Sequence, residues 1–282
     1  MSESTSSAAH AGAVMRPWTV KDIWPESHYI IYYLLLGLST GVASGLLGIG
    51  GGILIVPILS GFLGVPMRCA VAISIVSVLG IATTGVVSEL VARTEIPWLV
   101  AAILAVGAQG GVWIGSKVGP KLPERALRYA FVMVILLTAA KLAQLVPIGP
   151  SSGHFPVDAI GSWLLWVLLL GVFAGFLSVL LGIGGGIVVV PGLVFILDGI
   201  IFRAIQTASL AMIIPTALTG TVVHARQGNV LWRSVVLIVL PGFVGTIIGV
   251  VVANITPNEY LRDVIFPIFL CIVAVRLALK HI

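Results

Sequence analysis

The sequence predicts an all-α polytopic membrane protein made of two inverted repeats, each a glycine-broken helical hairpin followed by three transmembrane helices. Three observations predict it. Charged residues are 9% of the 282 residues and hydrophobic residues 59%, whereas soluble domains carry about 25% charge. The apolar runs reach about 20 residues, long enough to cross a bilayer as helices. They are continuous rather than alternating, which excludes a transmembrane β-barrel. Third, one glycine-rich stretch occurs twice. Residues 41–57 read GVASGLLGIGGGILIVP and residues 175–191 read GFLSVLLGIGGGIVVVP, identical at 12 of 17 positions at a spacing of 134.

The elements follow in chain order. Residues 1–28 open with the polar MSESTSSAAHAGAV and contain no apolar core with a cleavage site, so no secretory signal is expected there. They read as a cytoplasmic tail, disordered over Met1–Val14, with Trp18, Trp24 and Tyr29 as interfacial anchors. Repeat 1 covers 29–146. It comprises apolar Tyr29–Leu47, the break Gly48–Gly52, short Ile53–Leu63, and spans at Arg68–Ala92, Ile96–Val118 and Glu124–Val146. Residues 147–161 (PIGPSSGHFPVDAIG) are the linker. Repeat 2, 162–282, repeats the order with Trp163–Leu181, the break Gly182–Gly186, Ile187–Leu197, Arg203–His224, Val230–Ala253 and Leu261–Leu279. Gly111, Gly115, Pro123, Leu127 and Arg128 recur as Gly245, Gly249, Pro257, Leu261 and Arg262 at the spacing of 134. With one residue inserted, Arg68, Ser74 and Thr84-Gly85 recur as Arg203, Ser209 and Thr219-Gly220. Such matching marks an internal duplication.

Basic residues decide the relative orientation of the halves. If each glycine-broken segment returns to the side it entered, the halves are inverted, and the 15 Lys and Arg divide 11 against 4. If each crosses once, the halves are parallel and the division is 8 against 7. The positive-inside rule selects the inverted arrangement, with both termini cytoplasmic. Length agrees, since at about 1.5 Å per residue Ile53–Leu63 is too short for a crossing of about 30 Å. The net charge of +5 marks no nucleic-acid surface, because the basic residues are scattered between spans.

Four glycines in five positions cost a helix about 1 kcal/mol each relative to alanine. What they permit is a turn and close approach to backbone or ligand. A helix restarting after each break presents free N–H groups and a positive dipole end, which favours an anion. The candidate substrate contacts are therefore Gly50, Gly51, Gly52, Gly184, Gly185 and Gly186. Packing is the plainer role for glycines, and Gly111, Gly115, Gly245 and Gly249 are assigned to it. Pro57 and Pro191 follow the breaks and kink or pack the short helices. No strand precedes the glycines and no Lys-Ser/Thr follows, so they are not a nucleotide loop.

Polar side chains within spans complete the candidate site. The matched pair Ser74 and Ser209 leads, with Gln206, Thr207 and Gln109 offering further donors. Arg68 and Arg203 begin long helices and would draw anions to opposite entrances or simply anchor the interface. Ser44 and Ser178 precede the breaks and would cap or line them, and Ser77 stands with Ser74. Glu89 and His224 occupy matched positions near opposite faces and are the candidates for proton coupling. For Glu89 the plainer expectation is an ion pair with Arg93, four residues on. Cys69 and Cys271 have no ligand-spaced partner, and no metal, cofactor or catalytic constellation is seen, so no enzyme is expected.

The doubled G-x-G-G-G-x-x-x-x-P signature, Gly48–Pro57 and Gly182–Pro191, resembles that of the TauE/SafE sulfite exporter family, and the resemblance covers nearly all the chain after residue 29. It implies a secondary transporter of the bacterial inner membrane exporting sulfite or organosulfonates such as sulfoacetate. Helix-end electrostatics reaches an anion unaided; the sulfur comes only from the resemblance. Two other classes are a passive anion channel with a glycine-lined pore and a membrane subunit that docks another protein.

Overall fold

The computed structural model describes residues 29–92, 94, 96–118, 160–197, 201–257, 260–265 and 267–268. The tail 1–28, the expected span Glu124–Val146, residues 147–159 of the expected linker and most of Leu261–Leu279 lie outside the described residues. Eight α-helices are described. They are α1 (Ile30–Leu47), α2 (Gly52–Gly61), α3 (Met67–Val91), α4 (Trp98–Val118), α5 (Ile160–Leu181), α6 (Gly186–Ile196), α7 (Phe202–Arg226) and α8 (Trp232–Ile255), followed by a π-helical turn at Leu261–Ile265. Six are long and apolar enough to cross a membrane, and α2 and α6 are short apolar helices. The chain is an all-helical, multi-pass membrane protein. The helix ends fall within a few residues of those expected from hydropathy.

Glycine sets which helices touch. Along α1, a Cβ on Gly37, Gly41 or Gly45 would collide with backbone near Ile238, Gly242 and Thr246 of α8. In return, Gly245 and Gly249 of α8 sit on the carbonyls of Leu38 and Val42. The residue numbers rise together, so α1 and α8 run parallel with backbones in contact. The α4–α5 pair repeats this: Gly107, Gly111 and Gly115 face Leu168, Val172 and Phe176, and Gly171 and Gly175 face Leu104 and Ala108. Without a hydrophobic drive between helices in lipid, such close backbone packing is what holds them. The packing role expected for Gly111, Gly115, Gly245 and Gly249 is what the contacts display.

Helices α3 and α7 occupy the centre. Ile75 packs on Gly220, Leu210 on Gly85, and Glu89 meets Arg203, so these twin helices run in opposite directions. Val78 and Ile213, twins at the 135 spacing, face one another where they cross. Outward-facing side chains of the outer helices are large and apolar, among them Leu165, Trp166, Val236, Leu240 and Val251, as lipid contact demands.

The close crossings yield a direct test. Gly111→Leu should lower the melting temperature of the detergent-purified protein, since the Val172 carbonyl it meets is helix backbone and cannot move aside. Gly110→Leu, whose added carbon meets nothing within 4 Å, should leave it unchanged or raise it.

Candidate functional site

Each break is one left-handed turn used twice. Gly48, Gly50 and Gly51 have φ of 70°, 78° and 71°; their counterparts Gly182, Gly184 and Gly185 have 72°, 80° and 81°. An L-residue pays about 1–2 kcal/mol for this conformation, so glycine is required three times per break. Gly48 ends α1 by donating its N–H to the Ser44 carbonyl at 2.8 Å, and Gly182 ends α5 on Ser178 at 2.9 Å. After the turn, α2 and α6 restart with Gly51 and Gly185 as N-caps, neither helped by a side-chain hydrogen bond.

The two turns lie against each other. A Cβ on Gly52 would stand 2.6 Å from the Gly182 carbonyl oxygen, and one on Gly186 would stand 2.9 Å from Ile49 backbone. Val78 and Ile213 flank both Gly50 and Gly184, forming an apolar wall on either side. The N-termini of α2 and α6 are thus brought to one place in the middle of the helical assembly.

Side chains from α3 and α7 engage this junction unequally. Ser74, fully buried, donates its hydroxyl to the Gly182 carbonyl at 2.6 Å and lies 3.4 Å from the Gly52 carbonyl. Gln206 donates Nε2 to the Leu46 carbonyl at 2.8 Å, while its backbone abuts Gly48. The donors Ser74 and Gln206 therefore occupy carbonyls at the C-terminal ends of α5 and α1. The N-terminal ends of α2 and α6 have no such counterpart, which leaves a net positive junction. Ser209, the twin of Ser74, has a buried hydroxyl with no partner among the described residues, as do Ser44 and Ser77. The Gln206 Oε1 is likewise buried and unpartnered.

Other candidates are placed elsewhere. Thr207 spends its hydroxyl on the Ala204 carbonyl of its own helix. Gln109 accepts a 2.8 Å hydrogen bond from Thr219, tying α4 to α7. That contact is six residues, about 9 Å along α7, from Ile213 at the breaks. Arg68 is exposed in the first turn of α3.

Arg203 and Glu89 correct the sequence-based expectation. Glu89 is 1% exposed and Arg203 6%, and the Arg203 Nη2 donates to the Glu89 carboxylate at 2.9 and 3.0 Å. Glu89 is therefore buried rather than at the surface, its expected partner Arg93 lies outside the described residues, and Arg203 is no open vestibule. A buried carboxylate in apolar surroundings needs a cation within reach, and the antiparallel crossing delivers one from 114 residues away. His224, the twin of Glu89, lies in the last turn of α7 with its ring nitrogens buried beside the Val179 backbone. Among the described residues no three His, Cys, Asp or Glu side chains gather as metal ligands. The ion pair had no local sequence signal. The Val78–Ile213 wall did have one, the spacing of 135, and was overlooked.

This construction, a doubled glycine turn with apposed helix N-termini inside a two-half bundle, coincides with a match to a known family. The model of the sulfite exporter family TauE/SafE matches residues 9–142 and 167–282. The chain belongs to the TauE/SafE family. A probable membrane transporter protein of Haemophilus influenzae is 32% identical over 127 residues, 43% of this chain and 46% of that protein, so this match spans about half of each. One from Xylella fastidiosa (strain Temecula1) is 25% identical over 240 residues, 83% of this chain and 89% of its own length. The Bacillus subtilis probable membrane transporter YdhB is 24% identical over 233 residues, 83% and 94% of the two chains. This TauE/SafE protein is thus a multi-pass membrane transporter.

The unequal serines make a prediction. Ser74→Ala leaves the buried Gly182 carbonyl without its donor and should destabilise the protein by about 1–3 kcal/mol. Ser209→Ala removes a hydroxyl with no partner among the described residues and should be near neutral. Thermal unfolding of the two variants side by side checks the difference.

Proposed function

We propose that this protein is a secondary transporter exporting small sulfur-containing anions, sulfite or organosulfonates such as sulfoacetate, by alternating access. The anion sits near the membrane midplane between the two glycine breaks, in a fold of two inverted repeats. The observation that carries this reading is the pair of uncapped helix N-termini brought together at Gly50–Gly52 and Gly184–Gly186. Two positive helix ends in a water-poor site attract an oxyanion, and discontinuous helices meeting between repeats are the usual transporter arrangement. The opposite directions of the twin helices α3 and α7 support inversion. The family supplies sulfur as the element. Rocking of one repeat against the other, hinged at the crossing of α3 and α7, would expose the junction to each side in turn.

A proton is the proposed coupling ion. Glu89 is engaged by Arg203, so His224 is the titratable group of the matched pair left to carry it. The 11-to-4 division of basic residues supports cytoplasmic termini, and the proposed location is a bacterial inner membrane.

Flux of labelled sulfite, sulfoacetate and sulfate in proteoliposomes tests the function. Wild-type protein should show saturable flux, driven uphill by an imposed pH gradient, and Gly185→Leu should abolish it. Transport at the wild-type rate by folded Gly185→Leu would rule out the glycine site. Flux that rises linearly without saturation would identify a channel instead.

Topology has its own check. In a background lacking Cys69 and Cys271, a cysteine at Thr94 should react with an impermeant thiol reagent added outside cells. One at Gln227 should react only after lysis. The reverse pattern would overturn the orientation.

A further inference from the structure

Arg203 is a buried guanidinium of which only one nitrogen is used. Nη2 donates to both Glu89 oxygens and, at 3.3 Å, to the Val250 carbonyl. Nε and Nη1 are buried and have no acceptor among the described residues. Those two nitrogens carry three of the five guanidinium N–H groups. Arginine has no neutral form to retreat to, and a buried donor without an acceptor is costly. The site therefore holds three charged donors ready for a further acceptor, and Glu89 shows that the acceptor it suits is an oxyanion.

Its place along α7 gives the free donors a direction. Gln206, three residues or about 4.5 Å further along the helix, abuts Gly48 of the first break. Ser209 follows at the next turn with its unpartnered hydroxyl. Positions three apart share one side of a helix, so Arg203, Gln206 and Ser209 form a polar stripe. It runs from the glycine junction to the end of α3–α7 held by Glu89. The matching positions of α3 are Arg68, Val71 and Ser74, where the arginine is exposed and the middle residue apolar and buried. Only one end of the molecule carries the complete stripe.

The geometry points to a second oxyanion position at Arg203, between the glycine breaks and the Glu89 end, where Glu89 is a tethered competitor of the transported anion. This rests on the reading of the protein as an anion transporter working through the breaks. An anion arriving along the stripe binds through Nε or Nη1, and each of these forms a two-oxygen fork only together with Nη2, so the anion contends with Glu89 for that nitrogen. Its charge weakens the hold of Arg203 on Glu89, and α3 and α7 part at that end. When the anion leaves, Glu89 recovers the guanidinium and the end closes. No covalent bond changes.

The test is binding to Glu89→Gln, an isostere that removes the competing charge. Detergent-purified wild type, Glu89→Gln and Glu89→Gln/Arg203→Gln are dialysed against labelled sulfite, sulfate and ethanesulfonate at fixed ionic strength, and melting temperatures are measured alongside. Glu89→Gln should bind at least one of these anions about tenfold more tightly than wild type, the scale of one charge-assisted hydrogen bond. The anion should also raise its melting temperature more than that of wild type, and both gains should vanish in the double variant. Equal affinity in wild type and Glu89→Gln, or a gain that survives loss of Arg203, overturns the proposal. If Glu89→Gln does not fold, Glu89→Asp keeps the charge but shortens its reach, and the same criteria apply to a smaller gain. Saturable flux by wild type without a gain in the variants removes the Arg203 position alone. A gain through Arg203 without wild-type flux removes the transport reading alone.

Discussion

Backbone that leaves the helix inside a hydrocarbon layer has no water to bond, and the rest of this structure follows from how that problem is met. Such backbone is tolerated only where protein covers it. Here each break is covered by the other. Gly52 rests on Gly182, Gly186 rests on Ile49, and Ser74 donates to the Gly182 carbonyl from the helix alongside. Neither repeat could supply this alone, because the cover for its own turn comes from its twin. The absence of Cβ is needed both to make the turns and to let them touch. The same requirement recurs in the α1–α8 and α4–α5 pairs, which hold the two halves together by backbone contact across the duplication.

The duplication has kept the scaffold and changed the side chains that face the junction. Ser74 bridges the two breaks, while Ser209 is left with an idle hydroxyl. Val71 lies beside Gly182, and Gln206 takes the same place beside Gly48. Glu89 holds Arg203, whereas Arg68 is exposed and His224 stands where a second carboxylate would have been. A two-fold arrangement with identical side chains would present the same chemistry to both membrane faces. These substitutions make the two ends unlike, and they do so along α3 and α7, the helices that cross at the breaks.

The fold was legible because it is written in periodic and repeated features. Apolar length gave the helices, the 134 spacing gave the repeat, and glycine clusters gave the breaks. The partners of Gln109 and Arg203 were not legible, for one reason. Their surroundings depend on residues far away in sequence, Thr219 for one and Glu89 for the other. An arginine at the start of an apolar helix reads as an interfacial anchor unless the partner is known. Likewise the i, i+4 neighbour of Glu89, Arg93, is visible in sequence and lies outside the described residues, whereas the antiparallel crossing that brings Arg203 is not visible in sequence. The twin positions would have carried part of the answer: applying the 135 spacing to Val78 yields Ile213, the opposite wall of the site.

The Glu89–Arg203 pair is hard to explain as a source of stability. Withdrawing two charges from water costs several kcal/mol per ion, and apolar replacements of such pairs are often neutral or better. In a bundle surrounded by lipid, ionisable side chains are retained where they act. A pair that joins α3 to α7, at one end only and with spare donors on the arginine, has the form of a contact that is made and broken. Its energetic effect is then on populations. In the proposed mechanism the formed pair would keep that end shut when no anion is present, and a ligand would shift the balance only by binding the open form more tightly. The pair would then bias which side the empty transporter faces. It would not set the direction of net flow, because a latch that consumes no free energy speeds both directions alike.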